Sequence, residues 1–364
     1  MERTIKSMDN YDFNFWATLE SMKYFDKQPD GLSENLRKKY DAMISNENDE
    51  YIATCKYDGE WTMFIKWDGE YLIRSRSISK KTGTYGDKTA HLPHLVEEMK
   101  LWPDNTVILG EVCWGDFGTV STDVGTILRC LPAKAVERQK ERKLVVKMFD
   151  LLAIAGESWL NMPYGSRLME LRNYEGWIDG EYFTLTNICP PGKTPAEFAD
   201  EIISQGGEGV VIQRADYIYE PGKRTAWKTL KLKQRLPQME LKVIGRLSPK
   251  QYYEGDCPET WPYYVVVDDT YDDEEGNTYY TSEKILVTKP YFFGWMNGIV
   301  VELPDGEVCE VTSGLTDADR EWLATQEAAE SIAQGDLYAV VQAMSFNTKG
   351  KLRHPALVRL RNDM

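Results

Sequence analysis

The chain has no apolar run approaching the roughly 20 residues that a membrane-spanning helix requires. Its first residues, Met1-Glu2-Arg3-Thr4, lead into polar sequence and not into the apolar core of a signal peptide. A soluble, cytoplasmic protein is therefore expected, with no membrane partner. Cysteine is sparse and scattered: Cys55, Cys113, Cys130, Cys189, Cys257 and Cys309 form no C-x-x-C pair, which argues against a disulfide framework or a zinc site and for reduced thiols. Of three histidines, His91 and His94 form an H-x-x-H with no further ligands nearby, so a surface position is expected for them. Fixed-period repeats and Pro-, Gln- or Gly/Ser-rich tracts are also missing, which excludes a solenoid or a long disordered chain. Between residues 251 and 283 there is no lysine or arginine at all.

What is present is the composition of a globular protein, 42% hydrophobic and 12% aromatic over 364 residues, a length that favours two domains. The net charge of -15 disfavours a polyanionic partner only when taken as a whole. Ten acidic side chains lie within 251–283, whereas 213–250 holds ten basic side chains against three acidic ones. The local field steers a polyanion, so a basic face for phosphates is compatible with an acidic protein.

In residues 1–48, Phe13, Phe15, Trp16, Leu19, Met22 and Phe25 have spacings that predict one amphipathic helix packed on the next domain. From Tyr51 to Arg76 alternating segments flank Asp68-Gly69, which predicts a hairpin, with Lys56 at the end of the strand before it. Further strands are expected at Thr106–Val112, Leu144–Asp150 and Gly209–Ile212, and helices at Leu92–Leu101, Val136–Arg142, Arg167–Asn173 and Ala196–Gln205. Beyond Pro237 the pattern changes to strands at 241–245, 263–267, 298–302, 307–311 and 337–344 with one helix at 317–326, compatible with a small β-barrel.

The chemistry centres on Thr54-Cys55-Lys56-Tyr57-Asp58-Gly59. A lysine acts as a nucleophile only once its proton is lost, and nearby cations or a metal ion depress its pKa. Lys231 and Lys233 alternate with apolar residues and so share one strand face, where they serve either to hold a phosphate or as ordinary edge-strand lysines. Glu111 and Glu208 each border a strand in apolar surroundings, as ligands for ribose and magnesium or as surface acids. Phe149 and Val211 are either core or the two sides of a nucleobase slot.

The ordered set resembles the ATP-dependent DNA ligases of compact phage type, within the covalent nucleotidyltransferases. Lys56-Tyr57-Asp58-Gly59 is similar to their motif I, Ser75-Arg76 to Ia, Gly110-Glu111 to III, Met148-Phe149-Asp150-Leu151-Leu152 to IIIa and Glu208-Gly209-Val210-Val211-Ile212 to IV. The run from Tyr219-Glu220-Pro221-Gly222-Lys223-Arg224 through Lys231 and Lys233 resembles motif V, and Leu352-Arg353-His354-Pro355 with Arg359 and Arg361 resembles motif VI. The resemblance implies an α+β fold: a packed extension (1–48), a nucleotidyltransferase (adenylation) domain of antiparallel sheets flanked by helices (49–237), and an OB-fold β-barrel (238–364) with the acidic stretch 251–283 as an insertion. It implies ATP and Mg²⁺ as cofactors and nicked duplex DNA as partner, sealed by a monomer. Lys56, Asp58, Lys231 and Lys233 form the implied catalytic set. Thr54, Arg76, Glu111, Phe149, Val211, Arg359 and Arg361 contact the nucleotide together with Lys56, Lys231 and Lys233, and Glu111 and Glu208 hold the metal. An RNA ligase, an RNA-capping guanylyltransferase and a catalytically inactive relative share much of this pattern. Trp61 stands where motif I usually carries an arginine, which leaves Arg74 or Arg76 to supply the guanidinium, and Lys228 competes for a place in motif V.

Overall fold

The structure, a computed structural model, describes residues 11–26, 32–46, 50–79, 82–115, 117, 121–223, 225–233, 235–255, 258–272, 278–346 and 350–362. Part of the expected loop before the first strand (47–49), Arg224, Asp256, Cys257, the acids at 273–275 and Asp363-Met364 lie outside the described residues. The chain forms two compact units, Met1–Lys233 and Gln234–Met364. The division falls a few residues before the Pro237 expected from the change of pattern.

In the first unit the strands are β1 (Tyr51–Lys56), β2 (Glu60–Trp67), β3 (Glu70–Ile78), β4 (Tyr85–Asp87), β5 (Thr106–Cys113), β6 (Val145–Ile154), β7 (Glu157–Ser158), β8 (Phe183–Leu185), β9 (Gly209–Arg214) and β10 (Thr229–Lys233). They form two sheets. One is three-stranded and antiparallel, β1-β9-β10; the other runs β4-β3-β2-β5-β6-β7, with β8 parallel to β6. The β2–β3 hairpin turns at Asp68-Gly69, where both residues have positive φ (50° and 79°), as a two-residue turn matching strand twist requires. Along β2, Met63, Ile65 and Trp67 pack in one apolar cluster and Phe64 in another, so each face of the larger sheet buries its own core.

The helices here are α1 (Phe13–Thr18), α2 (Glu34–Ser45), α3 (Pro93–Met99), α4 (Ser121–Leu128), α5 (Pro132–Arg138), α6 (Tyr164–Asn173), α7 (Glu175–Ile178) and α8 (Pro195–Ser204). Helix α8 starts with a capping box of Thr194 and Glu197 and covers the apolar face of the three-stranded sheet through Phe198, Ala199 and Ile202. Helix α5 begins and ends earlier than expected, because Pro132 sits in its first turn, where a missing N–H costs nothing.

The amino-terminal segment corrects the single-helix expectation. Of the run from Phe13 to Phe25, only Phe13–Thr18 is helical. Beyond it the chain pairs with β10 and the loop before it: Lys231 N–H donates to Phe25 O, Phe25 N–H to Thr229 Oγ1, and Lys23 N–H to Lys223 O. An open strand edge offers backbone partners that an isolated helix cannot use, and the apolar spacing suits both conformations. The histidine expectation is corrected as well. His91 is buried with Nε2 at Cys130 O, and His94 is half-buried with Nε2 at Leu144 O, so both rings pin neighbouring loops. The five described cysteines are free thiols.

The second unit is built on an antiparallel five-stranded sheet. Its strands are β11 (Met239–Leu247), β12 (Tyr264–Asp272), β13 (Thr278–Leu286), β14 (Gly298–Glu302), β15 (Val308–Val311), β16 (Leu337–Gln342), β17 (Ser345–Phe346), β18 (Leu352–Arg353) and β19 (Ala356–Asn362), and the sheet order is β15-β14-β11-β16-β19. Val243, Ile299, Val301, Val311, Ala339 and Val341 fill its core. The segment at 263–267 was expected to join this sheet. It forms instead a separate two-stranded hairpin with β13, largely exposed. Helix α9 (Lys289–Phe293) follows, and the helix expected at 317–326 is two, α10 (Asp317–Leu323) and α11 (Gln326–Gln334), the second capped by Thr325. Among the described residues no helix is long and apolar enough to cross a membrane.

Candidate active site

Register in the three-stranded sheet sets the site. Val211 of β9 pairs with Thr54 of β1 on one side and with Lys231 of β10 on the other. Two residues along, Gly209 stands between Lys56 and Lys233. Directly opposed residues in antiparallel strands point to the same side, so Thr54, Lys56, Val211, Lys231 and Lys233 share one face. Ala53, Cys55, Val210, Ile212 and Leu230 turn into the core on the other. Gly209 has φ +133°, and a Cβ there would lie 2.1 Å from Leu232 O, so the strand crosses at this point only as glycine.

That face forms one wall of a cavity of about 490 Å³. The opposite wall comes from the larger sheet and includes Trp61, Arg76, Glu111, Lys147 and Phe149. Phe149 and Val211 are tied together: Tyr164 Oη donates to Phe149 O at 3.2 Å, the Thr54 hydroxyl hydrogen-bonds Tyr164, and it lies 3.5 Å from Val211 O. Behind Phe149 the Asp150 carboxylate is gripped at both oxygens by Arg167 (2.7 and 2.9 Å), with both side chains fully buried. Six cations line the cavity, Lys56, Arg76, Lys88, Arg129, Lys147 and Lys231, against two acids, Glu60 and Glu111. A field of that sign concentrates phosphates.

Lys56 Nζ forms an ion pair with Glu208 Oε2. Burial pushes the lysine pKa down, but Glu208, then Glu111 and Asp58, outweigh it and hold the ammonium above its ordinary value. The expectation that its neighbours depress this pKa is thus reversed in the protein alone. The cationic repulsion is expressed on Lys231, whose pKa falls to about 8, first through burial and then through Lys56. Burial raises Glu111 to about 7, against the pull of Lys56, with Glu208 adding to the rise. Gly59 N–H donates to Glu111 Oε1 at 3.2 Å, and a Cβ on Gly59 would meet Val112 O at 2.2 Å.

Thr54, Lys56, Arg76, Glu111, Phe149, Val211 and Lys231 are therefore brought around one cavity, with Glu208 engaging the lysine beside it. Lys233 shares the face but does not line the cavity, and its ammonium is paired with Asp26 at 2.6 Å. Asp58 sits in the turn after β1 and acts on Lys56 through its charge. Arg359 and Arg361 lie on β19 of the second unit, Arg361 bonded to Glu240. Of the two arginines considered in place of a guanidinium at Trp61, Arg74 is buried against Leu19 O and the Tyr85 ring, whereas Arg76 lines the cavity. Lys228 precedes β10 and bonds Glu220, outside the lining.

Sequence reading missed Tyr24, Gln213, Lys147 and Tyr164 as lining residues. Lys147 was legible, since it stands two residues before Phe149 on one strand and shares its face. Gln213 likewise follows Val211 by two. Nothing local marks Tyr24, which reaches the cavity only because the amino-terminal segment runs extended along β10.

The arrangement defines a nucleotide-sized, cation-lined cleft between two antiparallel sheets. The family model for the ATP dependent DNA ligase domain matches residues 32–233, more than half of the chain, and the chain belongs to that family. It is 28% identical over 220 residues to a DNA ligase of Thermococcus fumicolans, and 26% identical over 220 residues to one of Thermococcus onnurineus. Each match covers 59% of this chain and 37% of the relative, so the chain spans little more than a third of the length of these curated relatives. A solved Lig E DNA ligase superposes with a TM-score of 0.59 at 18% identity, covering 94% of this chain and 98% of that one, a likeness of fold.

Proposed function

We propose that the protein is an ATP-dependent DNA ligase that seals 5′-phosphate/3′-hydroxyl nicks in duplex DNA through a lysyl-AMP and a DNA-adenylate. The observation that carries this is the convergence of Lys56, Lys231, Arg76 and Glu111 on one cavity that Phe149 and Val211 also line. A nucleobase between Phe149 and Val211 directs the triphosphate toward Lys56 and the cations. Lys56 Nζ then forms a bond to the α-phosphorus as the bond to pyrophosphate breaks. The AMP passes to the 5′-phosphate at a nick, and the 3′-hydroxyl displaces it. Phosphoryl transfer depends mainly on positioning and neutralised charge, which Lys231 and Arg76 supply.

Glu111 and Glu208 fit Mg²⁺. Both offer hard oxygen donors, and among the described residues no cluster of three or more His, Cys, Asp or Glu forms a complete cage, as suits an ion that keeps waters and phosphate oxygens. Bound there, Mg²⁺ would neutralise phosphate charge, and the Glu208 carboxylate would be shared between it and the Lys56 ammonium. What Glu208 must do is release the Lys56 ammonium so that its proton can leave. Asp58 stabilises the lysine charge before reaction, and Lys233, steadied by Asp26, strengthens the positive edge of the sheet. The second unit is read as the OB-fold, on its five-stranded antiparallel sheet, with Arg359 and Arg361 on β19 orienting the leaving pyrophosphate. A monomer acting in the cytoplasm on nicked duplex DNA is the simplest form of this reading.

The test mixes the protein with α-labelled ATP, GTP or NAD and magnesium. Label from ATP in an acid-labile adduct, lost in Lys56→Ala, is expected, followed by sealing of nicked duplexes. Adduct formation from no donor overturns the proposal. Sealing only when the 3′ strand is RNA would move the assignment to an RNA ligase, and adduct only from GTP to a guanylyltransferase.

A further inference from the structure

Among the described residues, one buried amide nitrogen on the cavity wall has no internal partner. Gln213 is 2% exposed and lines the cavity, yet its Nε2 has no hydrogen-bond partner. Buried amides in folded proteins are nearly always paired, so an unpaired one facing a cavity points to a ligand. Its neighbours do not supply the bond. Across the sheet Gln213 is opposed by Ile52 and Thr229, and the Thr229 hydroxyl already accepts from Phe25 N–H and bonds Thr225.

Position says which part of a ligand it meets. Gln213 follows Val211 by two residues on the cavity face of β9, and its rung on β1 is four residues from Lys56, roughly 13 Å along the strand. The nucleophile stands at one end and the amide at the other, with Val211 between. A nucleotide with its α-phosphate at Lys56 and its base on Val211 turns the polar edge of that base toward Gln213.

We propose that the Gln213 amide reads the nucleobase, accepting from the 6-amino group of adenine and donating to the adjacent ring nitrogen. A primary amide is the side-chain group that matches adjacent donor and acceptor sites on adenine in this bidentate way. The inference rests on the nucleotidyltransferase reading, because it takes the nucleotide to lie along the cavity toward Lys56. It assigns donor choice to β9, a residue beyond the motif from which the fold reading came.

The experiment compares the rate of covalent adduct formation from ATP and from purine riboside triphosphate, which lacks the 6-amino group, in wild type, Gln213→Met and Gln213→Glu. The ratio of the two rates is independent of how much of a variant folds, so a partly folded preparation still reports. Wild type should prefer ATP by at least about 100-fold, as sites built to bond a substrate N–H do. Gln213→Met, with no bonding group, should bring the two donors to within about twofold, mainly by slowing ATP. Gln213→Glu, which accepts but cannot donate when ionised, should lose most of the ATP rate. An unchanged ratio in Gln213→Met, with wild type labelled by ATP, overturns this inference and leaves the ligase reading standing. A wild type labelled by no donor overturns both.

Discussion

Glu208 holds the Lys56 ammonium in an ion pair within the candidate site, and the two side chains are only 8% and 18% exposed. The lysine is thereby kept charged, the form that cannot attack phosphorus. Removing the carboxylate leaves burial, which lowers the lysine pKa, less opposed. In Glu208→Gln, Lys56 should acylate faster with a small amine-selective reagent at pH 7.5, by about tenfold for each pKa unit lost. Peptide mass spectrometry resolves that site among the other lysines. The same variant should form less ATP adduct, and need more magnesium to form it, since Glu208 is also a proposed metal ligand. Faster acylation with slower adduct formation separates the two roles of one carboxylate.

Lys231 gives a pH signature. Its folded pKa of about 8 lies below the ordinary lysine value of 10.5, through burial and the nearby Lys56. Between those two values the unfolded chain binds more protons at this position than the folded one, so its contribution to stability rises with pH from 8 to 10.5. Below pH 8 the cost of burying the charged amine is present in full. A bound phosphate favours the ammonium, so pyrophosphate binding near pH 8.5 should take up a proton. Calorimetry in two buffers of different ionisation enthalpy measures that uptake. Lys231→Arg, which stays charged across this range, should take up fewer protons than the wild type when pyrophosphate binds.

The sequence made the face of the small sheet legible and left its surroundings obscure, for physical reasons. Alternation places Lys231 and Lys233 together, and Thr54 with Lys56, because a strand has period two. What alternation cannot say is which strands are neighbours. Here β1, β9 and β10 come from three separate parts of the chain, and only their register sets Lys56 and Lys233 on either side of Gly209. The Asp68-Gly69 hairpin could be read because two residues encode it. The extended run through Tyr24 to Asp26 could not, since its conformation is decided by the open edge of β10, more than 200 residues away. The hairpin of β12 and β13 was misplaced for a related reason: strand propensity is local, whereas membership of a sheet is not.

Asp150 and Arg167 should be costly to separate. Both are fully buried, and Arg167 also donates to Met162 O at 2.7 Å. Replacing one partner strands the other charge without solvent. Arg167→Met is expected to destabilise the protein by about 3–5 kcal/mol, while Asp150→Asn with Arg167→Met together should cost less than the two single changes summed. Urea unfolding followed by tryptophan fluorescence measures each corner of the cycle. Because Asp150 adjoins Phe149, variants that still fold should also bind ATP more weakly.

The β12–β13 hairpin offers the last test. Its described strand residues are largely exposed, and most of it falls in the stretch 251–283, which holds ten acidic side chains and no lysine or arginine. A surface of that charge repels a phosphate backbone, and the repulsion is screened by salt. Replacing residues 264–286 with a short Gly-Asn turn should strengthen binding to unnicked duplex DNA, most at low ionic strength, and should make the affinity fall more steeply with salt. Adduct formation from ATP should be unchanged, since the lining residues of the cavity all belong to the first unit. Fluorescence anisotropy with a labelled duplex at 50 mM and 200 mM salt reads both quantities. Weaker binding on deletion would assign the hairpin to DNA contact rather than to preventing non-specific adhesion, and would place its exposed Tyr279 and Tyr280 against the duplex.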